Sequence, residues 1–417
     1  LFWSALGYLY SADPEKSLLM TVQSLCAILV YLGLTLHIQK ESQIETILKT
    51  LLSFGGVIAF IGIIQQFPLS FLDNPLLNQF GKIDNNSTSL FVHRNVFAGY
   101  LVLLIPLSCL IYLSNVSKLW KGVAGTSFVL CLTALIFSGS RGGQLVGIFE
   151  LLVIMGYFIF NKERKEAMNL FKGIAVSVAI YLMIDLIVKV LVGDQPNRTS
   201  FIELVGGGTQ GHQSRNRILF WQVAWEILKD HWLIGSGPLS FAALFPKYYI
   251  ALTPIINGQT LTSGTPPHAH NLFAQTASDS GLIGIGLLLA FLAIFYFRVS
   301  QLFLHSSLKT RSTVFFLTLT VTSFIFHHMI EYNWYGSMFI FNFTIFIFLI
   351  DFIKRKHFSF EKVSPPGRFF YAVPVAGIFI SFLTVASSIQ YYKYHSVVEN
   401  FSKSGSLHEL VSLTAQA

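Results

Sequence analysis

The chain has 417 residues, of which 53% are hydrophobic and only 12% are charged. A soluble domain carries about 25% charged residues, so this composition excludes an ordinary soluble enzyme and indicates a polytopic membrane protein. The net charge of +8 does not indicate nucleic-acid binding, because the basic residues form short clusters between apolar runs. Membrane lipid is therefore an expected partner, and nucleic acid is not.

The chain begins with Leu1 rather than methionine, and no signal peptide precedes its first apolar run. We therefore expect a fragment that lacks its original N-terminus. The three cysteines, Cys26, Cys109 and Cys131, all lie within apolar runs. This placement favours small buried residues over a disulfide framework or a metal site.

Apolar runs of about 20 residues, the length that crosses a bilayer, recur along the chain. We predict ten spans, at 17–38, 46–67, 95–114, 122–139, 143–160, 172–192, 270–297, 312–330, 334–353 and 369–391. The predicted fold is therefore an all-α, polytopic transmembrane helix bundle.

Basic residues occur in every second connection, which gives the spans a consistent direction under the positive-inside rule. The predicted cytoplasmic connections hold Lys40 and Lys49, Lys118 and Lys121, residues 161–172, Arg298 with Lys309 and Arg311, and residues 354–362. The opposite face, which we call the outer face, receives residues 1–16, 68–94, 138–143, 193–269, 327–334 and the C-terminal tail. Several histidines and arginines meet at this face against the usual charge bias, which favours a shared site over separate headgroup anchors.

The outer segment 193–269 is too long for a simple connection, and its middle part predicts an amphipathic helix from Arg215. Ile218, Trp221, Trp225 and Leu228 recur at helical spacing, and tryptophan suits the membrane–water interface. A helix that only caps the bundle would explain this apolar face. It would not explain Arg215 and Arg217 at the start of the helix.

The stretch "PPHAHNLFAQTASDSG" places His268, His270 and Asn271 at the mouth of a predicted membrane helix. The two prolines bar helix before His268, and we expect the helix to begin near His270. A neutral histidine there could act as a general base, and a charged one could hold phosphate. A histidine that only caps the helix at the interface is an equally good interpretation of this stretch alone.

Two further turns at the outer face contain candidate functional residues. In "SGSRGGQL" Arg141 lies among glycines, and its guanidinium suits phosphate oxygens, although it could also be a snorkelling anchor. In "HHMIEYNW" His327 and Glu331 are four residues apart and share a helical face. Together with His268 and His270 they could form a metal site. We predict no metal and no cofactor, because no D-x-D or H-E-x-x-H pattern is present.

Together these residues resemble the O-antigen ligase and O-antigen polymerase superfamily of bacterial envelope enzymes. The pattern H-[NSQ]-x9-G-x-x-G is present as His270, Asn271, Gly281 and Gly284, although Ile285 departs from its ligase continuation. An R-x3-L element is present from Arg141 and again from Arg215. The run "RILFW…KDHWLIGSGPLSF" resembles the outer-loop signature with Arg217 at its arginine position. The stretch "FVHRNVFAGYL" resembles an earlier family helix, and "HHMIE" resembles a later one with Glu331 at its acidic position.

This resemblance implies a twelve-helix bundle in the intact protein, located in the bacterial inner membrane with its active site facing the periplasm. It implies transfer of a glycan from an undecaprenyl-diphosphate carrier to a lipid A–core sugar, a growing polysaccharide or a protein. The membrane domain would cover 1–392, with the periplasmic loop at 193–269. The tail 393–417 would be periplasmic and is compatible with the start of a truncated helical-repeat domain.

Glycosyl transfer from a diphosphate requires cations at the leaving group and a base at the acceptor hydroxyl. We predict His270 as the base, and Arg217 and Arg141 as the catalytic cations. A wider set of substrate-binding residues comprises Arg215, Asn271, His268, Arg94, Glu331 and His327.

Two other functions fit parts of the pattern. A transporter of a solute or lipid-linked sugar would use the intramembrane Asp185, Lys189 and Glu150, of which Asp185 and Lys189 are expected to pair. We find no internal repeat of the kind that transporters usually contain. A non-catalytic scaffold would leave the histidines and arginines of the outer face unexplained.

Overall fold

A computed structural model describes residues 2–67, 86–91, 93–193, 211–252 and 265–357. Twelve helices lie in these ranges: α1 (Phe2–Tyr10), α2 (Pro14–His37), α3 (Glu41–Ile64), α4 (Arg94–Leu113), α5 (Lys118–Phe137), α6 (Arg141–Phe160), α7 (Arg164–Val192), α8 (Gly211–Asp230), α9 (Phe241–Leu252), α10 (Leu272–His305), α11 (Leu308–His328) and α12 (Ser337–His357).

Eight of the described helices, α2 to α7, α10 and α12, are long and apolar enough to cross a membrane. The prediction of an all-α, polytopic helix bundle is therefore confirmed. The predicted span 369–391 and the tail 393–417 lie outside the described residues. The three cysteines are buried and free, as their apolar surroundings predict.

The predicted span 312–330 forms α11, but this helix is not among the eight that are apolar enough to cross a membrane. Its threonines and its two terminal histidines lower its hydropathy. Thr320, Ser323, His327 and His328 are nevertheless buried, because α11 packs against α4, α6, α10 and α12. A helix inside a bundle is shielded from lipid by its neighbours, so its polar side chains do not meet the bilayer.

Two predicted boundaries are wrong, and a third, the helix start expected near His270, is confirmed to within two residues. The basic stretch 161–172 is helical from Arg164 onward, since its lysine, glutamate, alanine and leucine residues are strong helix formers. Residues 1–16 are not a plain connection, because α1 forms within them. The helix expected near His270 begins at Leu272, where Asn271 accepts hydrogen bonds from the first free N–H groups.

A second, smaller apolar core lies outside the main bundle. It joins one face of α8 to α9, through residues such as Phe220, Ile227 and Phe245. Of the four residues predicted to form the apolar face of α8, Leu228 is buried whereas Ile218, Trp221 and Trp225 are exposed. The amphipathic helix of the outer segment therefore packs on one side and presents tryptophans on another, as expected for a helix at the membrane interface.

The loop between α8 and α9 is hydrogen-bonded into a break in α10. Gly281 has φ 60 and interrupts the helix. The N–H groups of Ser236 and Gly237 donate to the carbonyl oxygens of Ser278 and Asp279 at 2.9 Å, and Leu282 N–H donates to Trp232 O at 2.8 Å. The peptide groups released by the break are thus satisfied by the loop, as irregular backbone at membrane depth requires. This contact fixes where α8 lies over the bundle.

We expect Gly281→Ala to destabilise the protein, because a methyl group there would collide with the backbone carbonyl of Leu233. The left-handed backbone alone costs a residue other than glycine about 1–2 kcal/mol. Gly286→Ala is the matched control, since it lies in the same helix and a methyl group there meets open space. Thermal unfolding in detergent should show a lower midpoint for Gly281→Ala only. Equal midpoints for the two variants would contradict the proposed docking.

Candidate active site

Five stretches that are distant in sequence meet at one end of the bundle. They are the starts of α4 and α6, the helix α8, the segment 268–271, and the turn after α11. Capping side chains define three of the helix starts: His93 accepts from Asn95 N–H, Ser140 accepts from Gly143 N–H, and Asn271 caps α10. The prediction that these connections share one face of the protein is therefore confirmed.

Glu331 is the centre of this cluster, and its side chain is only 5% exposed. Its Oε1 lies 2.7 Å from His270 Nδ1, which is within ion-pair distance. The angle between the two groups does not meet the geometry of a hydrogen bond. Its Oε2 accepts from Asn95 Nδ2 at 2.6 Å and from Arg217 Nη2 at 3.3 Å. One buried carboxylate thus joins α4, α8, the turn after α11 and the segment before α10.

His270 is held in a rare backbone conformation, with φ 52. Its ring stacks on Phe220 of α8 at 5.5 Å between centroids. Residues other than glycine adopt this region at a cost of about 1–2 kcal/mol, and such strain is concentrated at functional sites. Nδ1 faces the carboxylate of Glu331, so a neutral ring would carry its proton on Nδ1 and leave Nε2 to accept one.

Burial and neighbouring charge act in opposite directions on Glu331. Burial raises the pKa of this carboxyl, but His270, with smaller contributions from His268 and His93, lowers it to well below its ordinary value. For His268, burial lowers the pKa well below its usual range, and the adjacent His270 lowers it further. The cluster therefore holds an ionised carboxylate beside a neutral His268 at neutral pH.

Asn271, His268 and His327 are already engaged or enclosed. The Asn271 side chain caps α10 and donates to Met329 O at 2.9 Å. His268 is 3% exposed, and its Nδ1 accepts from His270 N–H at 3.3 Å. His327 is fully buried, with its ring against Gly99. These contacts favour positioning of the cluster over direct contact with a substrate.

The other predicted arginines lie around the cluster. Arg141 begins α6, where Gly142 packs against Ile330, the neighbour of Glu331, and Gly143 packs against Ala98. Arg94 begins α4 directly before Asn95. Arg215 lies on α8, and its side chain falls outside the described residues. Of the predicted cations, Arg217 is the one with a described contact to Glu331.

Two residues of this cluster were missed by the sequence reasoning. The sequence pattern singles out the charged Arg94 and not its neighbour Asn95, although both belong to the first turn of α4. Phe220 lies three residues after Arg217 on α8, and this spacing places the two side chains on one helical face. Phe220 could therefore be predicted from its helical spacing to Arg217. The sequence around Asn95 contains no comparable pattern that would identify it.

His268, His270 and Glu331 could offer three ligand atoms to a metal ion, because these atoms lie within 4.8 Å of one another. Direct contact between His270 and Glu331 uses two of them, and the guanidinium of Arg217 lies on the second carboxylate oxygen. A fixed cation at this carboxylate opposes the binding of another, so we retain the prediction of metal-independent chemistry.

A family model described as O-antigen ligase matches residues 126–289. The matched stretch runs from within α5 to within α10. It includes Arg141, Arg217, His270 and the glycine at the helix break, but not Glu331. A search of curated proteins found no match.

We expect Glu331→Gln to lower stability at neutral pH by about 3 kcal/mol, because Arg217 and His270 lose a buried partner. Since folding lowers the pKa of Glu331, its contribution is present above the ordinary value of 4.5 and is lost as the pH falls through the folded value. The difference from wild type should therefore narrow below about pH 4.5.

Glu226→Gln, which breaks the ion pair with Lys229 on the same helix as Arg217, is the control. This pair is largely at the surface and should contribute less than about 1 kcal/mol. Melting in detergent across pH checks both variants. A Glu331→Gln deficit that persists unchanged into acid would contradict the charge-based account.

Proposed function

We propose that this chain is a membrane glycosyltransferase of the O-antigen ligase superfamily, as the match over residues 126–289 supports, and that it moves a glycan from undecaprenyl diphosphate to an acceptor. The acceptor is a lipid A–core sugar, a growing polysaccharide or a protein. We further propose that the reaction takes place at the periplasmic face of the bacterial inner membrane and needs no metal.

The observation that carries this proposal is a histidine oriented by a buried carboxylate beside a partly exposed arginine. His270 Nε2 would accept the proton of the acceptor hydroxyl as its oxygen bonds to the anomeric carbon of the glycan. Glu331, at 2.7 Å from Nδ1, would stabilise the imidazolium that forms. The bond between the anomeric carbon and the diphosphate breaks, and the charge that remains on the diphosphate needs cations.

Arg217 is the principal candidate for that charge. Its side chain is 30% exposed, and a single nitrogen contacts Glu331. A guanidinium has five N–H donors, so others remain to bind phosphate oxygens. Arg141 and Arg94, at the starts of α6 and α4, would bind the diphosphate from the other side, and Arg215 would assist from α8. Helix starts favour anions through their free N–H groups.

A cavity beside the cluster suits the polyprenyl chain of the carrier. Its volume is about 430 Å³, and residues of α10 from Leu272 to Leu292, on both sides of the break at Gly281, line it. Tyr332, the residue after Glu331, lines one part of it, together with the polar Thr276, Asp279 and Ser280, and apolar side chains such as Phe291 line the remainder. A chain held here would present its diphosphate to Arg217 and its glycan to His270.

The transporter alternative receives less support. Asp185 and Lys189 form an ion pair at 3.0 Å within α7, so they neutralise each other. Glu150 is fully buried in α6, and no described basic residue forms an ion pair with it. We therefore favour the enzyme.

We expect His270→Ala and Arg217→Ala each to lower glycan transfer at least about 100-fold, through loss of the base and of charge stabilisation. Purified protein, an undecaprenyl-diphosphate glycan and candidate acceptors provide the assay. His305→Ala and Lys229→Ala, at the far ends of α10 and α8, are the controls and should retain activity. Normal transfer by both site variants would exclude this mechanism.

We expect Leu288→Trp to raise the KM for the lipid carrier, because Leu288 lines the cavity and an indole would fill it. Leu289→Trp is the matched control, since its side chain is 51% exposed and does not line the cavity. Transfer kinetics at varied carrier concentration separate the two variants. An unchanged KM in Leu288→Trp would place the polyprenyl chain elsewhere.

A further inference from the structure

A second cavity lies at the end of the bundle opposite the His270–Glu331 cluster. It lies between the last turns of α4 and α6 and the first turns of α5 and α7, and its volume is about 190 Å³. The proposed reaction uses none of the residues that line it. The cavity therefore has no role in the function proposed above.

The inner wall of this cavity is apolar and its mouth is polar. Cys109, Phe128, Phe158 and Leu170 line it and are all buried. At the mouth, Asn169 Nδ2 donates to Glu166 Oε2 at 3.0 Å and to the Tyr112 hydroxyl at 3.4 Å. An apolar interior with a polar rim matches the two parts of an amphiphile.

The rim also carries an excess of positive charge. Lys172 lines the cavity, is exposed, and makes no ion pair with a described residue. Lys165 lies one and two turns before Asn169 and Lys172 on the same face of α7. On α5, Lys121 lies one turn before Gly125 and two turns before Phe128, so it shares the helical face of these two lining residues. Three exposed lysines thus extend outward from the two helical faces that line the cavity.

We propose that this cavity binds one anionic phospholipid of the membrane. Part of one acyl chain occupies the apolar interior, and the phosphodiester lies among Lys121, Lys165 and Lys172. Basic pockets between membrane helices bind anionic headgroups in this manner, and the attraction of each lysine is additional to the burial of the chain. Charge complementarity at the rim favours an anionic lipid over a zwitterionic one.

Two glycines of α5 provide a matched test of the interior. Gly125 lines the cavity, and a Cβ there meets no atom within 4 Å. Gly122 is one turn earlier, also meets nothing within 4 Å, and does not line the cavity. Both can therefore accept leucine without a collision at Cβ, and both exchange a helical glycine for a better helix former. Only Gly125→Leu fills the proposed chain site.

Delipidated protein in detergent is titrated with dioleoyl-phosphatidylglycerol or dioleoyl-phosphatidylcholine, and bound lipid is counted by native mass spectrometry. We expect one tightly bound phosphatidylglycerol in the wild type and in Gly122→Leu, and at least about tenfold weaker binding in Gly125→Leu. Equal binding by Gly125→Leu and Gly122→Leu would overturn the proposal.

The exposed lysines provide a second test that does not depend on packing. Changing Lys121, Lys165 and Lys172 together to glutamine should lower the affinity for phosphatidylglycerol at least about tenfold and leave that for phosphatidylcholine almost unchanged. Equal affinity of the wild-type protein for the two lipids would also overturn the proposal. Glycan transfer by these variants is measured separately, because the lipid site does not depend on the proposed reaction.

Discussion

The buried carboxylate of Glu331 is the contact on which the rest of the site depends. A charge removed from water is stable only with compensating charge and hydrogen bonds, and here these come from His270, Arg217 and Asn95. The three residues belong to separate parts of the chain. Compensation of one charge therefore requires α4, α8 and the start of α10 to converge, and the geometry of the site follows from that convergence.

The break at Gly281 supplies the second constraint. It opens α10 so that the loop after α8 can hydrogen-bond to both sides of the gap. The start of α10 is fixed by the Asn271 cap, and the break lies at Gly281, so their separation sets where the loop docks relative to His270. The spacing from His270 to Gly281 within the motif therefore determines the position of α8. It places Arg217 and Phe220 of α8 over the histidine.

Hydropathy and charge alternation were sufficient to predict most of the bundle and the common face of the site residues. They failed where tertiary context decides. The polar residues of α11 are tolerated because neighbouring helices cover them, which no local pattern reveals. The left-handed backbone of His270 and the helix break depend on contacts with α8 and its loop. Asn95 becomes distinctive only through Glu331, which follows it by 236 positions. Pairwise contacts of this range leave no trace in a single sequence.

Basic residues are arranged differently at the two ends of the bundle. At one end, a single buried acid, Glu331, positions both Arg217 and His270. At the other end, Lys121, Lys165 and Lys172 are exposed and make no ion pair with a described residue. Basic residues are typical of the cytoplasmic side of membrane proteins. The position of these three lysines, opposite the His270–Glu331 cluster, is consistent with the proposed location of the cluster at the periplasmic face.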